Sequence, residues 1–254
     1  MATPILSVNG LRKAYGGVVA VDGVSFELEQ GHMLAIIGPN GAGKSTCFNM
    51  LGGQIRPDSG SIAMGGHEVS RKSPQDIWRL GTARTFQITA TFVSMTVREN
   101  VQMVLLARDR RLARFWSPAS SYAPEEADRL LNLVGMRGQS ERVCGTLAYG
   151  DLKRVELAMA LASGPKILLM DEPTAGMAPL ERLALMDLVR SLVSREGLSV
   201  LFTEHDMDVV FGHADHIVVL NRGRIIASGG AEEIRANSAV QDVYLGGGTM
   251  YGAH

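Results

Sequence analysis

Cysteine is almost missing: Cys47 and Cys144 are the only two in 254 residues. That excludes the disulfide framework of a small secreted fold and suits a reducing cytoplasm. Long apolar runs are missing as well, and none approaches the roughly 18 residues that a membrane span requires. The opening stretch MATPILSVNG has no basic region followed by an apolar one, so no secretory signal is read there. Neither sign of charge is in excess, and a net charge of −1 offers no basic bulk for nucleic acid. No segment repeats another. A soluble chain is expected, one whose connection to a membrane runs through a partner.

What is present is ordinary for a folded protein, with 46% hydrophobic and 20% charged residues. The length fits one large α/β domain or two small ones. Residues 5–37 read as strands punctuated by glycine and end in the apolar run MLAIIG. A glycine-rich loop and a helix follow, from Gly38 to about Met50. Residues 53–86 read as short, turn-rich and β-like. VRENVQMVLLAR and PEEADRLLNLVG read as helices; the second carries Ala127, Leu130, Leu131 and Val134 on one face, with Pro124 suited to its first turn. A further helix follows LAYGD, residues 147–151, with Leu152, Val155, Met159 and Ala162 at helical spacing. ILLM (167–170) and LSVLFT (198–203) are short buried strands flanking a helix at 179–196. Such alternation predicts a parallel sheet wound by helices. IVVL and RIIASG predict a terminal hairpin around Asn221-Arg222-Gly223, and the end GGGTMYGAH reads as loose.

The chemistry concentrates in two places. GPNGAGKS, residues 38–45, matches the pattern G-x-x-x-x-G-K-[ST] between a buried strand and a helix. Its glycines let backbone N–H groups curl around phosphates. Lys44 reaches the β/γ-phosphates, and the Ser45 hydroxyl is a ligand for Mg²⁺. The predicted cradle runs through Gly38, Pro39, Asn40, Gly41, Ala42, Gly43, Lys44, Ser45 and Thr46. ILLMDEP, residues 167–173, is an apolar strand that ends in two carboxylates. Asp171 is placed to hold Mg²⁺ through water. Glu172 is the candidate to orient or deprotonate an attacking water.

The P-loop, LAYGD, ILLMDEP and TEHD (203–206), in that order, resemble the ATP-binding-cassette (ABC) ATPases over nearly the whole chain. The resemblance implies an α/β P-loop NTPase (RecA-like) core with an N-terminal antiparallel β subdomain and an inserted α-helical subdomain. The expected division is 1–87 and 161–235 for the core with its β subdomain, 88–160 for the helical subdomain, and 236–254 for a C-terminal tail. ATP and Mg²⁺ are the implied cofactors. Gln87 in ARTFQ looks like the glutamine that contacts Mg²⁺ or the attacking water. His205 looks like the histidine that touches the γ-phosphate, and Tyr15 like the aromatic that stacks on adenine. Leu147, Ala148, Tyr149, Gly150 and Asp151 occupy the signature position, usually LSGGQ, which closes over ATP held by the opposite subunit.

Within the family, ARTFQ, MTVRENV, the tyrosine in the signature, AGMAP, TEHDM and VYLG resemble the ATPase subunits of branched-chain amino-acid importers. The implied function is ATP hydrolysis that drives uptake of such amino acids, or of a related small organic solute, at the cytoplasmic face of the inner membrane. Implied partners are a second ABC ATPase subunit, two transmembrane permease subunits and, indirectly, a periplasmic solute-binding protein, with no nucleic acid. A heterodimer of ATPases is expected, a homodimer being the alternative. Rival readings are an envelope-lipid or lipopolysaccharide export ATPase and a non-transport cassette protein. Ala148 stands where the family has a serine, and Ala178 where many members have an aspartate or asparagine. Both face the opposite subunit, so the two ATP sites of the pair are expected to differ in hydrolysis. Cys47 in the first turn of the P-loop helix reads as a packed residue, with a dipole-lowered thiol as the alternative. The His213-Asp215-His216 run lacks a complete metal ligand set. RDRRLARFW, 108–116, reads as a solvated helix end, or otherwise as a docking or headgroup-contact surface.

Overall fold

The computed structural model describes residues 4–85, 91–111 and 122–245. The chain opens on two long antiparallel strands, β1 (Leu6–Tyr15) and β2 (Val18–Leu28). β3 (Met33–Ile37) is buried at every position, as a strand covered on both faces must be. It feeds the glycine loop and helix α1 (Lys44–Leu51). β4 (Ser59–Met64) and β5 (His67–Glu68) then complete a four-stranded antiparallel sheet in the order β2-β1-β4-β5.

The stretch 53–86 departs from its β-like reading at α2 (Pro74–Arg79). Ser73 caps this helix by accepting the Asp76 N–H, and Pro74 occupies the first turn. Ser-Pro followed by an acid is a helix start, but one and a half turns show no apolar period. β6 (Thr82–Thr85) follows.

Three helices form the inserted layer: α3 (Val97–Arg108), α4 (Pro124–Leu133) and α5 (Tyr149–Ala162). A capping box opens α3. Thr96 Oγ1 accepts the Glu99 N–H at 3.2 Å, and Glu99 returns a carboxylate to the Thr96 N–H at 2.8 Å. Arg98 ties α3 to Asp128 of α4 and to Ser140. Val101, Leu105, Leu131, Val155 and Ala158 are fully buried where the three meet. The helix α5 continues past residue 160, so the expected boundary of the helical subdomain falls inside it.

The chain then alternates through β7 (Ile167–Asp171), α6 (Pro179–Glu196), β8 (Ser199–Thr203), α7 (Met207–His213), β9 (His216–Asn221) and β10 (Arg224–Gly229). The second sheet has six strands in the order β10-β9-β3-β8-β7-β6. Five run parallel, and β10 returns antiparallel at the edge. Its strands alternate between two cores. Met33, Ala35 and Ile37 face the helices, while Leu34 and Ile36 face α1 and the antiparallel sheet. The β9–β10 turn uses Arg222 (φ 49°) and Gly223 (φ 79°), the left-handed pair of a two-residue hairpin.

The expected tail 236–254 is helical in its first part. α8 (Ala231–Ala236) is followed by a further helix, α9 (Ser238–Leu245), whose Val240 is fully buried. This helix brings the Tyr244 phenol to the backbone N–H of Gly38, and burial pushes that phenol up to about 12. The glycine-rich end lies outside the described residues.

Candidate active site

The phosphate cradle is held open by steric necessity. A Cβ on Gly38 would lie 2.1 Å from the Leu220 carbonyl oxygen, and one on Gly43 2.4 Å from that of Ala20. Gly43 also sits at φ 104°, as the residue that starts α1, a conformation side chains oppose. The hairpin turn braces the loop from behind, with the Gly223 N–H donating to the Ala42 carbonyl at 2.9 Å. Ser45 and Thr46 lie in the first turn of α1, where backbone N–H groups are free for an anion. Lys44 Nζ donates to the carbonyls of Gly38 at 2.7 Å and Pro39 at 3.2 Å. Burial lowers the Lys44 ammonium pKa, against the opposing pull of Glu172 and Asp171.

Strand register brings the acids to the same place. Asp171 ends β7 directly opposite Thr203, which ends β8. Thr203 Oγ1 donates to Asp171 Oδ1 at 2.7 Å and accepts the Glu172 N–H at 3.0 Å. Arg84 Nη2 donates to the other Asp171 oxygen at 3.1 Å. Glu172 has φ 47°, a backbone strain that points to a functional position. Its carboxylate meets His205 Nε2 at 2.7 Å. Buried Glu204 accepts both the N–H and the hydroxyl of Thr174, at 2.9 and 2.6 Å, and so fixes the loop after β7. Thr203, Glu204 and Arg84 did not emerge from the motifs. The first two flank the strand end that precedes His205, and the third lies within ARTFQ, so their positions were visible but their contacts were not.

The donors here suit a hard divalent ion: an exposed serine hydroxyl at Ser45 and a carboxylate at Asp171, whose oxygens retain acceptor capacity beside their present bonds. Tyr15 ends β1, half exposed, on the hairpin whose Ala20 carbonyl abuts Gly43. Gln87 lies outside the described residues.

At the signature, Leu147 is extended and Ala148 starts α5 with φ −65° and ψ 155° but no side-chain cap. Tyr149, Gly150 and Asp151 form the first turn. Tyr149 Oη donates to the Ala175 carbonyl at 3.2 Å, and Gln139 donates to Asp151 at 3.1 Å. Ala148, Tyr149, Ala178 and Leu180 are exposed together with Ala175 and Gly176.

The remaining expectations resolve locally. Cys47 is fully buried, and burial pushes its thiol up to about 12, so the dipole-activated alternative is excluded. His213 is spent on the Val209 carbonyl and Asp187, and His216 on Ser228. No metal-binding cluster of His, Cys, Asp or Glu occurs among the described residues. Arg108 pairs with Glu126 and Asp109, while residues 112–116 of the basic run lie outside the described residues. Among the described residues no helix is long and apolar enough to cross a membrane.

The model of the ABC transporter family matches residues 21–175, and that of the branched-chain amino acid ATP-binding cassette transporter matches residues 224–249. The chain is 41% identical to the high-affinity branched-chain amino acid transport ATP-binding protein BraF of Pseudomonas aeruginosa, covering 97% of this chain and 99% of that protein. It is 38% identical to the corresponding LivG protein of Escherichia coli strain K12, with the same coverage. A solved ATP-binding cassette of an ABC transporter in its ADP conformation superposes with a TM-score of 0.86 at 32% identity, over 96% of this chain and 100% of that one. This chain belongs to the ABC transporter family, in its branched-chain amino acid ATP-binding cassette branch.

Proposed function

We propose that this chain acts at the cytoplasmic face of the inner membrane as the ATP-hydrolysing subunit of an importer that takes up branched-chain amino acids or a related small organic solute. The observation that carries the hydrolytic part is the 2.7 Å contact of His205 with Glu172, at the strand ends that also present Asp171. The loop N–H groups from Gly41 to Thr46 and the Lys44 ammonium bind the phosphates. Ser45 and Asp171 would hold magnesium, which when bound would neutralise phosphate charge. Glu172 takes the proton of the attacking water as its oxygen bonds to the γ-phosphorus and ADP leaves. His205 orients that carboxylate and then faces the γ-phosphate. Catalysis is positioning and electrostatics.

The exposed patch of Ala148, Tyr149, Ala175, Ala178 and Leu180 supports a second ATPase subunit closing over this surface. The missing polar groups at 148 and 178 favour a heterodimer with unequal sites. Glu172→Gln here should then cost more turnover than the matching change in the partner. A cavity of about 360 Å³ between the core and the helical layer, lined by Gln54, Ile77, Trp78, Arg84, Val104 and Met159, suits a permease segment. Uptake of labelled leucine by cells carrying Lys44→Ala tests the transport reading. The expected result is lost uptake restored by the intact chain, and undiminished uptake of every branched-chain amino acid would refute it.

A further inference from the structure

Arg84 is the cation that the motifs leave without a role. It lies in β6, and its side chain reaches across to the end of β7. Nη2 bonds Asp171 Oδ2 at 3.1 Å, while Nη1 is clamped at 2.9 Å by both Asn49 Oδ1 and Gln54 Oε1. The guanidinium carbon stands 5.8 Å from the centroid of the Phe48 ring. Only 15% of the Arg84 side chain and 10% of that of Asp171 are exposed. Nε is buried with no hydrogen-bond partner among the described residues. A guanidinium buried with an N–H unspent is poorly explained by stability, since an apolar side chain would fill the place without that penalty. The clamp fixes its charge against one oxygen of one carboxylate, while Thr203 holds the other.

We infer that Arg84 is a positioning residue and resident counter-cation of Asp171, competing with the divalent ion for the Oδ2 oxygen and setting how much metal the nucleotide site requires. This rests on the reading of Asp171 as a metal-facing carboxylate. Two consequences of opposite sign follow from Coulomb's law. Without Arg84, a divalent ion meets a freer carboxylate and one less positive neighbour, so it binds more readily. Metal-free nucleotide then meets an uncompensated carboxylate, so it binds less well. A purely structural arginine would weaken both.

The test is a titration of the full chain with a fluorescent ADP analogue, once in EDTA and once across a magnesium series, for the wild type, Arg84→Met and Arg84→Lys. Arg84→Met is expected to weaken metal-free binding about tenfold and to lower the half-saturating magnesium concentration about tenfold. Arg84→Lys, which keeps the charge, is expected to retain the wild-type metal requirement. Should Arg84→Met not fold, Arg84→Gln removes the same charge and carries the same expectation. An unchanged or raised magnesium requirement in the neutral variants overturns the role of Arg84 alone. A wild-type chain whose affinity ignores magnesium overturns the metal reading of Asp171 and this inference with it.

Discussion

Thr203 shows what a single residue contributes beyond the motifs. Its hydroxyl donates to Asp171 and accepts from the Glu172 backbone, so one oxygen sets the aim of both carboxylates. Thr203→Val preserves shape and removes that oxygen. Turnover is expected to fall by roughly ten- to a hundredfold and stability by about 1–2 kcal/mol, read by steady-state ATPase assay and thermal melt. Gly43→Ala is the steric counterpart. With φ 104° and the Ala20 carbonyl 2.4 Å from the new methyl, the loop must move, and equilibrium titration should show nucleotide binding lost. Lys44, Asp171, Glu172 and His205 were legible because each sits in a spaced motif. Thr203 and Arg84 were not, because their roles come from the register that sets β7 against β8 and β6, and no spacing along the chain encodes that register.

Helix ends carry much of the next scale. The α3 start, with Thr96 and Glu99 exchanging hydrogen bonds, was readable as a helix within VRENVQMVLLAR. Thr96→Ala removes the cap and should cost about 1 kcal/mol, visible as a lowered denaturation midpoint with unchanged slope. α2 and α9 escaped the reading for different reasons. α2 has six residues, too few for an apolar face to repeat. α9 follows directly on α8 and precedes a glycine-rich end, so composition suggested a tail. Its helix is fixed instead by tertiary burial of Val240 and by the Tyr244 phenol at the phosphate loop.

Across the whole molecule, two cores share one six-stranded sheet, and a partly exposed ion pair ties α6 to the start of β3. Asp215 accepts the Met33 N–H at 2.7 Å and both nitrogens of Arg190 at 2.6 Å. Burial alone would raise its pKa, but the Arg190 bonds and the Met33 N–H outweigh it and hold the carboxyl below the ordinary carboxylate range. A depressed folded pKa stabilises the protein above the unfolded value of about 4 and ceases to do so as pH falls through the folded one. Denaturant midpoints measured below about pH 4 should therefore fall, and less so in Asp215→Asn, which starts lower at neutral pH. The parallel sheet was legible from β7, α6 and β8 alternating along the chain, whereas the order that places β3 between β9 and β8 was not. That order gathers the phosphate loop and the acids at the C-terminal ends of the adjacent strands β3, β8 and β7, and the central proposal built on it is hydrolysis at Glu172. Glu172→Gln in the full chain, assayed for ATP binding and turnover together, tests this most directly. Binding should persist while turnover falls at least about a hundredfold; undiminished turnover would contradict the account.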